Sequence, residues 1–255
     1  DMEINSDKIS GIVLNGKETL KCSRVILATG HSSRDIYEML DKKGVFMEPK
    51  PFAVGVRIEH KQKLIDRLQY GSDDLGLPPA DYRLVYNGKE RSCYSFCMCP
   101  GGYVVNAASE EGHTAVNGMS YSGRDGQNAN SAIIVSVTPE DFGSSHPLAG
   151  IAFQRELEKK AFELGAGKIP VQRYGEFKAK VKGWVEKLSM EVDNNLAETC
   201  GQSKEKALDE ITPQTKGAYV WADVSRILPK ACNEAFVDGM ESFGRQIKGV
   251  NCPDT

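Results

Sequence analysis

The sequence predicts a mixed α/β chain of the α+β class: an antiparallel or mixed β-sheet with flanking helices, preceded by a shorter strand-and-helix unit. Three observations carry this. A β-meander opens the chain, strand-like runs recur from Pro51 to Val137, and after Pro139 the apolar period changes from two to about 3.6. An apolar share of 40% over 255 residues supplies a core for one large domain or two modest ones.

The meander comprises Met2 to Ile4, Ile9 to Leu14 and a return strand from Glu18 into Cys22. Asn15-Gly16 joins the last two, a pair that accepts the positive φ angles of a two-residue hairpin. Arg24 to Gly30 follows as a short β-branched run of the kind found in a parallel sheet buried on both faces. Ser32 or Ser33 can then cap a helix through Ile36, Tyr37 and Leu40 that stops at Gly44.

From Pro51 the alternation of Val54, Val56 and Ile58 with Gly55, Arg57 and Glu59 reads as a strand with one buried face. A short helix through Leu64, Ile65 and Leu68 ends at Gly71, and Ser72 to Pro79 is a candidate loop or lid. Further strands are expected at Tyr82 to Tyr86, Arg91 to Cys99, Tyr103 to Ala108, Thr114 to Met119 and Ala132 to Val137. The short gaps between them favour antiparallel neighbours. The last third reads as helical. Phe153, Leu157, Ala161 and Leu164 share one helical face, and Phe236, Met240, Phe243 and Ile247 share another after Pro229. Lys178 to Lys187, around Trp184, reads as a solvated Lys-rich face with one anchored aromatic.

Composition removes several function classes. A formal net charge of -3 gives no global positive field for a phosphate backbone, so no nucleic-acid partner is expected. No apolar run approaches the roughly 20 residues that cross a bilayer, and no membrane partner is expected either. Seven cysteines form an odd set in a chain of this length, which fits reduced thiols in the cytoplasm better than a secreted disulfide framework. The chain opens on Asp1 and stops at Thr255 without a tail-like composition, so both ends are expected to be internal.

The run Val25-Ile26-Leu27-Ala28-Thr29-Gly30-His31, placed after a meander, lets backbone pass close to a ligand at a glycine rim. Continued to Leu40, and together with Pro51 to His60, Tyr94 to Gly102, Asn117 to Ser120 and Asn128 to Ala132, it resembles the bacterial family of predicted FAD-dependent, NAD(FAD)-utilising dehydrogenases. The resemblance spans nearly the whole chain. It implies a partial, Rossmann-like FAD-binding domain over 1–50 and a substrate or cap domain over 51–255, with its sheet at about 51–138 and its helical part at about 139–250. The implied function is an internal piece of an FAD-dependent oxidoreductase of unassigned substrate. Ala28, Thr29, Gly30 and His31 would lie at the cofactor edge. The implied partners are a small-molecule substrate, NAD(P)H and the rest of the FAD-binding domain.

The Gly-x-Gly-x-x-Gly turn that grips an FAD pyrophosphate does not occur in the sequence. Gly165-Ala166-Gly167-Lys168 is the nearest glycine pair, and it follows a helix rather than a strand. The chain by itself is therefore expected to bind no FAD tightly.

His31 is the best-placed titratable group for proton transfer at the rim. Regular alternation would put Cys93, Ser95, Cys97 and Cys99 on one face of their strand, with Cys97 and Cys99 as further catalytic candidates. Neighbours two apart on a strand are separated by about 6.8 Å, too far for two thiolates on one zinc, and no metal is expected. Arg57 shares a side with Glu59 and could orient an anionic substrate, although a surface ion pair explains the two equally well. Arg124, Asn128 and Asn130 sit in what reads as a polar loop or turn, with the same candidate role. Pro100-Gly101-Gly102 reads as a hairpin turn or as a place where backbone approaches a ligand. The rival to an enzyme is a non-catalytic binding or interaction module whose cysteines are structural.

Overall fold

A computed structural model describes residues 1–72, 75–183 and 211–255. The fold is α+β, with antiparallel and mixed sheets and helices packed beside them. It divides into two compact units, Asp1–Lys50 with Pro139–Phe153, and Pro51–Thr138 with Gln154–Thr255.

In the first unit β1 (Met2–Asn5), β2 (Lys8–Leu14) and β3 (Glu18–Lys21) form the antiparallel meander. Asn15 and Gly16 take φ of 50° and 67°, the left-handed pair that a type I′ turn requires. Helix α1 (Arg34–Lys42) ends before Gly44, whose φ of 72° closes the last turn. Ser33 stands at the N-cap position without a side-chain capping bond, because its hydroxyl donates instead to the Thr29 carbonyl at 2.6 Å. The run Arg24 to Gly30 corrects its expected state. It carries no helix or strand and belongs to no sheet, and Ile26 is 93% exposed. A parallel strand needs neighbours on both sides, and none of the described strands pairs with it.

The second unit is built on a four-stranded antiparallel sheet in the order β4-β9-β6-β5. Its strands are β4 (Phe52–Lys61), β5 (Val85–Asn87), β6 (Ser92–Cys99) and β9 (Asn128–Val137). Three strands that are distant in sequence therefore lie side by side, although the short gaps suggest sequential pairing. Helix α2 (Gln62–Tyr70) follows β4 and stops at Gly71, with φ of 81°. Of the candidate loop Ser72 to Pro79, residues 73 and 74 lie outside the described residues, and the rest carries neither helix nor strand. β7 (Gly102–Asn106) and β8 (Val116–Ser120) form a second sheet with β11 (Thr215–Lys216). The described residues also form α3 (Ala149–Gly165), β10 (Ile169–Val171), α4 (Tyr174–Val181), β12 (Tyr219–Trp221) and α5 (Lys230–Gln246).

Helix α5 covers one face of the main sheet with Phe236, Val237, Met240 and Phe243, each 2% exposed or less. Burying four such side chains stabilises by about 1.5–3 kcal/mol apiece. Gly239 lets the helix approach, since a Cβ there would fall within 2.7 Å of the Cys93 Cβ. The opposite face, carrying Arg57 and Glu59, is also covered, so β4 is not the one-sided strand its alternation suggests. Among the described residues of the last third, β10, β11 and β12 stand beside the expected helices. The expected strand Tyr82 to Tyr86 shortens to Val85–Asn87; upstream, the Ser95 hydroxyl takes the Leu84 N–H at 2.8 Å. Lys178, Lys180 and Lys182 pair with Glu241, Asp223 and Asp238 at 2.9, 2.8 and 2.9 Å, and Trp184 to Lys187 lie outside the described residues.

His60 is fully buried on the α5 side, where its Nε2–H donates to the Val250 carbonyl at 2.8 Å. A carbonyl only accepts, so this bond selects the neutral Nε2–H tautomer and leaves Nδ1 without a partner among the described residues. Burial pulls its pKa from 6.5 down to about 4. The depressed folded value means that this group's contribution is fully present above about pH 6.5 and is lost as pH falls toward 4. Glu59 is shifted upward by burial and acts in the opposite sense, losing its contribution as pH rises. Urea unfolding of the protein and of His60→Gln should therefore diverge in pH dependence. The wild type is expected to lose on the order of 2 kcal/mol more than the variant between about pH 6.5 and 4. Equal slopes would contradict a buried neutral histidine.

Candidate functional site

The site begins with the polar opening of β9. Asn128 to Ser131, expected as a loop, is regular strand, and each of its polar side chains is buried against a specific partner. Asn128 Nδ2 donates to Glu59 Oε1 at 3.2 Å and to the Thr212 carbonyl at 3.0 Å, while Ser131 Oγ donates to the Phe96 carbonyl at 3.3 Å. Asn130 Oδ1 accepts from Arg57 Nε at 2.8 Å. Strand register places Arg57, Glu59, Asn130, Ala132 and Phe96 on one face of the sheet. That face is the site's floor.

β6 reaches this floor through a bulge. Phe96 pairs with Ala132 and Cys99 with Asn130, so three residue steps on β6 oppose two on β9. Cys97 takes a φ of 45° inside the bulge, a left-handed conformation uncommon for a residue with a Cβ. One extra residue reverses the parity of everything beyond it. The expected common face of four residues is therefore corrected. Cys93 and Ser95 point into the core beneath α5, Cys97 is exposed, and Cys99 turns toward Arg57.

Arg57 ties the bulge down. Its Nη2 donates to the Cys97 carbonyl at 2.6 Å and lies 3.6 Å from Cys99 Sγ, which itself comes within 3.3 Å of the same carbonyl. Burial lowers the guanidinium pKa, and the nearby Cys99, Cys97 and Tyr82 oppose that shift. An arginine starts so high that it stays charged. Space for its side chain comes from Gly118 of β8, where an added Cβ would collide with both Arg57 Nη2 and Asn130 Oδ1.

The loop after β6 is not a hairpin, since β7 pairs with β8 rather than with β6. At Pro100-Gly101-Gly102 the chain passes from one sheet to the other. Gly101, with φ of 50°, lies against the Arg124 carbonyl, and Gly126 N–H donates to the Gly101 carbonyl at 3.1 Å. Both glycines thus serve close approach of this chain's own backbone. Arg124 has a left-handed φ of 49°, and its side chain is exposed.

Two glutamines that carry no local sequence signal hold the arrangement together. Gln62 Oε1 accepts the Gly101 N–H at 2.8 Å. Gln214 donates its backbone N–H to both Glu59 oxygens at 3.0 and 3.2 Å, its Nε2–H to the Gly102 carbonyl at 3.0 Å, and accepts the Asn128 N–H at 3.2 Å. Burial raises the Glu59 pKa, and the bonds from Asn128 and Gln214 oppose the shift. These partners lie far apart in sequence, and only the folded chain brings them together.

A cavity of about 370 Å³ lies against this floor, lined by Arg57, Glu59, Ala132 and Ile134 together with Leu157 and Ala161 of α3. Its size suits a small molecule, and its lining is apolar apart from a few polar groups. The structure thus assembles Arg57, Asn128, Asn130, Cys97 and Cys99 in the second unit. Ala28, Thr29, Gly30 and His31 belong to the first unit, where His31 is exposed and touches the Ser32 hydroxyl at 3.3 Å.

Gly118→Ala is expected to displace the Arg57 guanidinium and to destabilise the protein by about 1–3 kcal/mol, read by urea unfolding. An unchanged midpoint would contradict the close contact. Cys93 is wholly buried and its thiol is pushed up to about 12, so it should resist alkylation in the native state while the exposed Cys97 reacts. Mass mapping after brief iodoacetamide treatment checks this, and labelling of Cys93 before Cys97 would contradict it.

Residues 51–199 match the family described as FAD-dependent protein, C-terminal domain-like. An uncharacterised protein of Clostridium beijerinckii is 45% identical over 248 residues, covering 95% of this chain and 42% of that protein. The chain thus spans less than half the length of this curated relative. The matched residues contain the Arg57 floor, the β6 bulge and the whole of β9, and on that match the chain belongs to the family described as FAD-dependent protein, C-terminal domain-like.

Proposed function

We propose that this chain is the substrate domain, with part of the flavin-binding domain, of a cytoplasmic FAD-dependent oxidoreductase acting on an anionic small molecule. The observation that carries the reading is Arg57 at the cavity wall. Asn130 and the Cys97 carbonyl fix its Nε and Nη2, and Nη1 has no partner among the described residues. A guanidinium held in this way is preorganised to receive a carboxylate or phosphate oxygen. Among the described residues no helix is long and apolar enough to cross a membrane.

The rim residues fit one part of an FAD site. Gly30 has φ of 80° and nothing within 4 Å of where a Cβ would be, which leaves the backbone open at that residue, and Ala28 to His31 are all exposed. These residues suit a cofactor edge; no Gly-x-Gly-x-x-Gly turn accompanies them to hold the pyrophosphate. FAD, when bound, would supply the hydride chemistry, with NAD(P)H as the electron partner. In the second unit the chain's own share is to bind and orient the substrate through Arg57 and to exclude water with the apolar wall of Ala132, Ile134 and Leu157; in the first, His31 is the proton-transfer group of the rim.

The reading predicts that the full-length protein purifies with flavin absorbance, whereas this chain alone retains no FAD after gel filtration. A full-length protein that stays colourless after FAD is supplied would overturn it. Tight FAD binding by this chain alone would overturn the division of the cofactor site.

A further inference from the structure

We infer that Cys97 and Cys99 form a dithiol–disulfide exchange site, with Cys97 as the attacking thiol and Cys99 as the resolving one. The inference goes beyond the flavin reading and stands without it, because its evidence is the geometry of the β6 bulge.

In a regular strand, residues two apart advance by about 6.8 Å, at the upper edge of the Cα separations that a disulfide spans. Their side chains also run parallel, which keeps the sulfurs apart. The bulge changes both conditions. Three residue steps from Phe96 to Cys99 occupy the length of two steps on β9. The advance per residue falls from about 3.4 Å to about 2.3 Å, and Cys97 and Cys99 are separated along the strand by about 4.5 Å. The left-handed φ of Cys97 turns its side chain out of the alternating pattern, and the Cys99 sulfur folds back to within 3.3 Å of the Cys97 carbonyl. Both thiols are free.

The two sulfurs also differ in the way an exchange pair requires. Cys97 is exposed and meets a reagent first. Cys99 is half-buried beside Arg57, whose Nη2 lies 3.6 Å from its sulfur and places a positive charge next to it. A left-handed backbone is ordinarily given to glycine, and a cysteine there accepts strain that packing does not need, since its side chain is exposed. Cys93 takes no part, because it lies on the buried face beneath α5.

The exchange balances with a low-molecular-weight disulfide, R–S–S–R, as the oxidant. The Cys97 thiolate attacks one sulfur of the reagent, forming Cys97–S–S–R and releasing R–S⁻. The Cys99 thiolate then attacks the Cys97 sulfur, forming the Cys97–Cys99 disulfide and releasing the second R–S⁻. Two protons leave the protein thiols, and two electrons reduce the reagent to two R–SH.

The test treats the reduced full-length protein with oxidised glutathione, then alkylates, digests with chymotrypsin and maps the peptides by mass. Cleavage after Phe96 separates Cys93 from the pair. The expected product is a peptide carrying Cys97 and Cys99 that has lost two hydrogens and holds no glutathione. Cys99→Ser should trap glutathione on Cys97, and Cys97→Ser should react at least roughly tenfold more slowly, since the remaining thiol is half-buried. Arg57→Gln should slow ring closure by roughly tenfold and let the mixed disulfide accumulate. If that variant does not fold, the two serine variants and the wild type still decide. Wild-type protein that stops at a glutathione adduct, links Cys93 to Cys97, or keeps both thiols would overturn the inference.

Discussion

The guanidinium of Arg57 is the constraint around which the second unit is arranged. It is a half-buried charge on the sheet face opposite α5, and such a charge persists only where acceptors surround it. Asn130 Oδ1 on β9 and the Cys97 carbonyl on β6 supply them. The β6 bulge exposes that carbonyl to the arginine instead of to the ladder. Gly118 of β8 follows from the same requirement, because any side chain there would occupy the space of the guanidinium and its partner.

Glu59, two residues further along β4, organises the other half of the floor. Its carboxylate gathers the Gln214 N–H and the Asn128 amide, and Gln214 extends the network to the Gly102 carbonyl. One glutamine thereby joins β4, β9 and the start of β7. The strand opening at Asn128 is polar for this reason, and its burial is tolerated because most of its polar groups are paired. The same pairing places an arginine and a carboxylate against an apolar cavity, the combination from which the substrate reading follows.

The parts of the fold that were legible in the sequence are those set by local chemistry. Asn15-Gly16 announces its hairpin through positive φ, Gly44 and Gly71 announce helix ends, and the periodicity of Phe236, Met240 and Phe243 announces α5. What was hidden depends on distant partners. Asn128 to Ser131 looks like a loop until Glu59, Arg57 and Phe96 satisfy it. Val25 to Leu27 looks like a buried strand, yet a parallel strand exists only beside neighbours, which the described residues do not provide. The common cysteine face fails for a sharper reason. Alternation presumes a regular strand, and one inserted residue after Phe96 carries Cys99 to the other side.

The most direct measurement of this account is the side of the sheet to which Cys99 points in the reduced protein. Nuclear Overhauser contacts from the Cys99 β-protons to the Arg57 side chain are the expected result, together with the coupling constant of a positive φ at Cys97. Contacts from Cys99 to the core residues around Cys93 instead, with Cys97 in ordinary extended backbone, would contradict the bulge and the site built upon it.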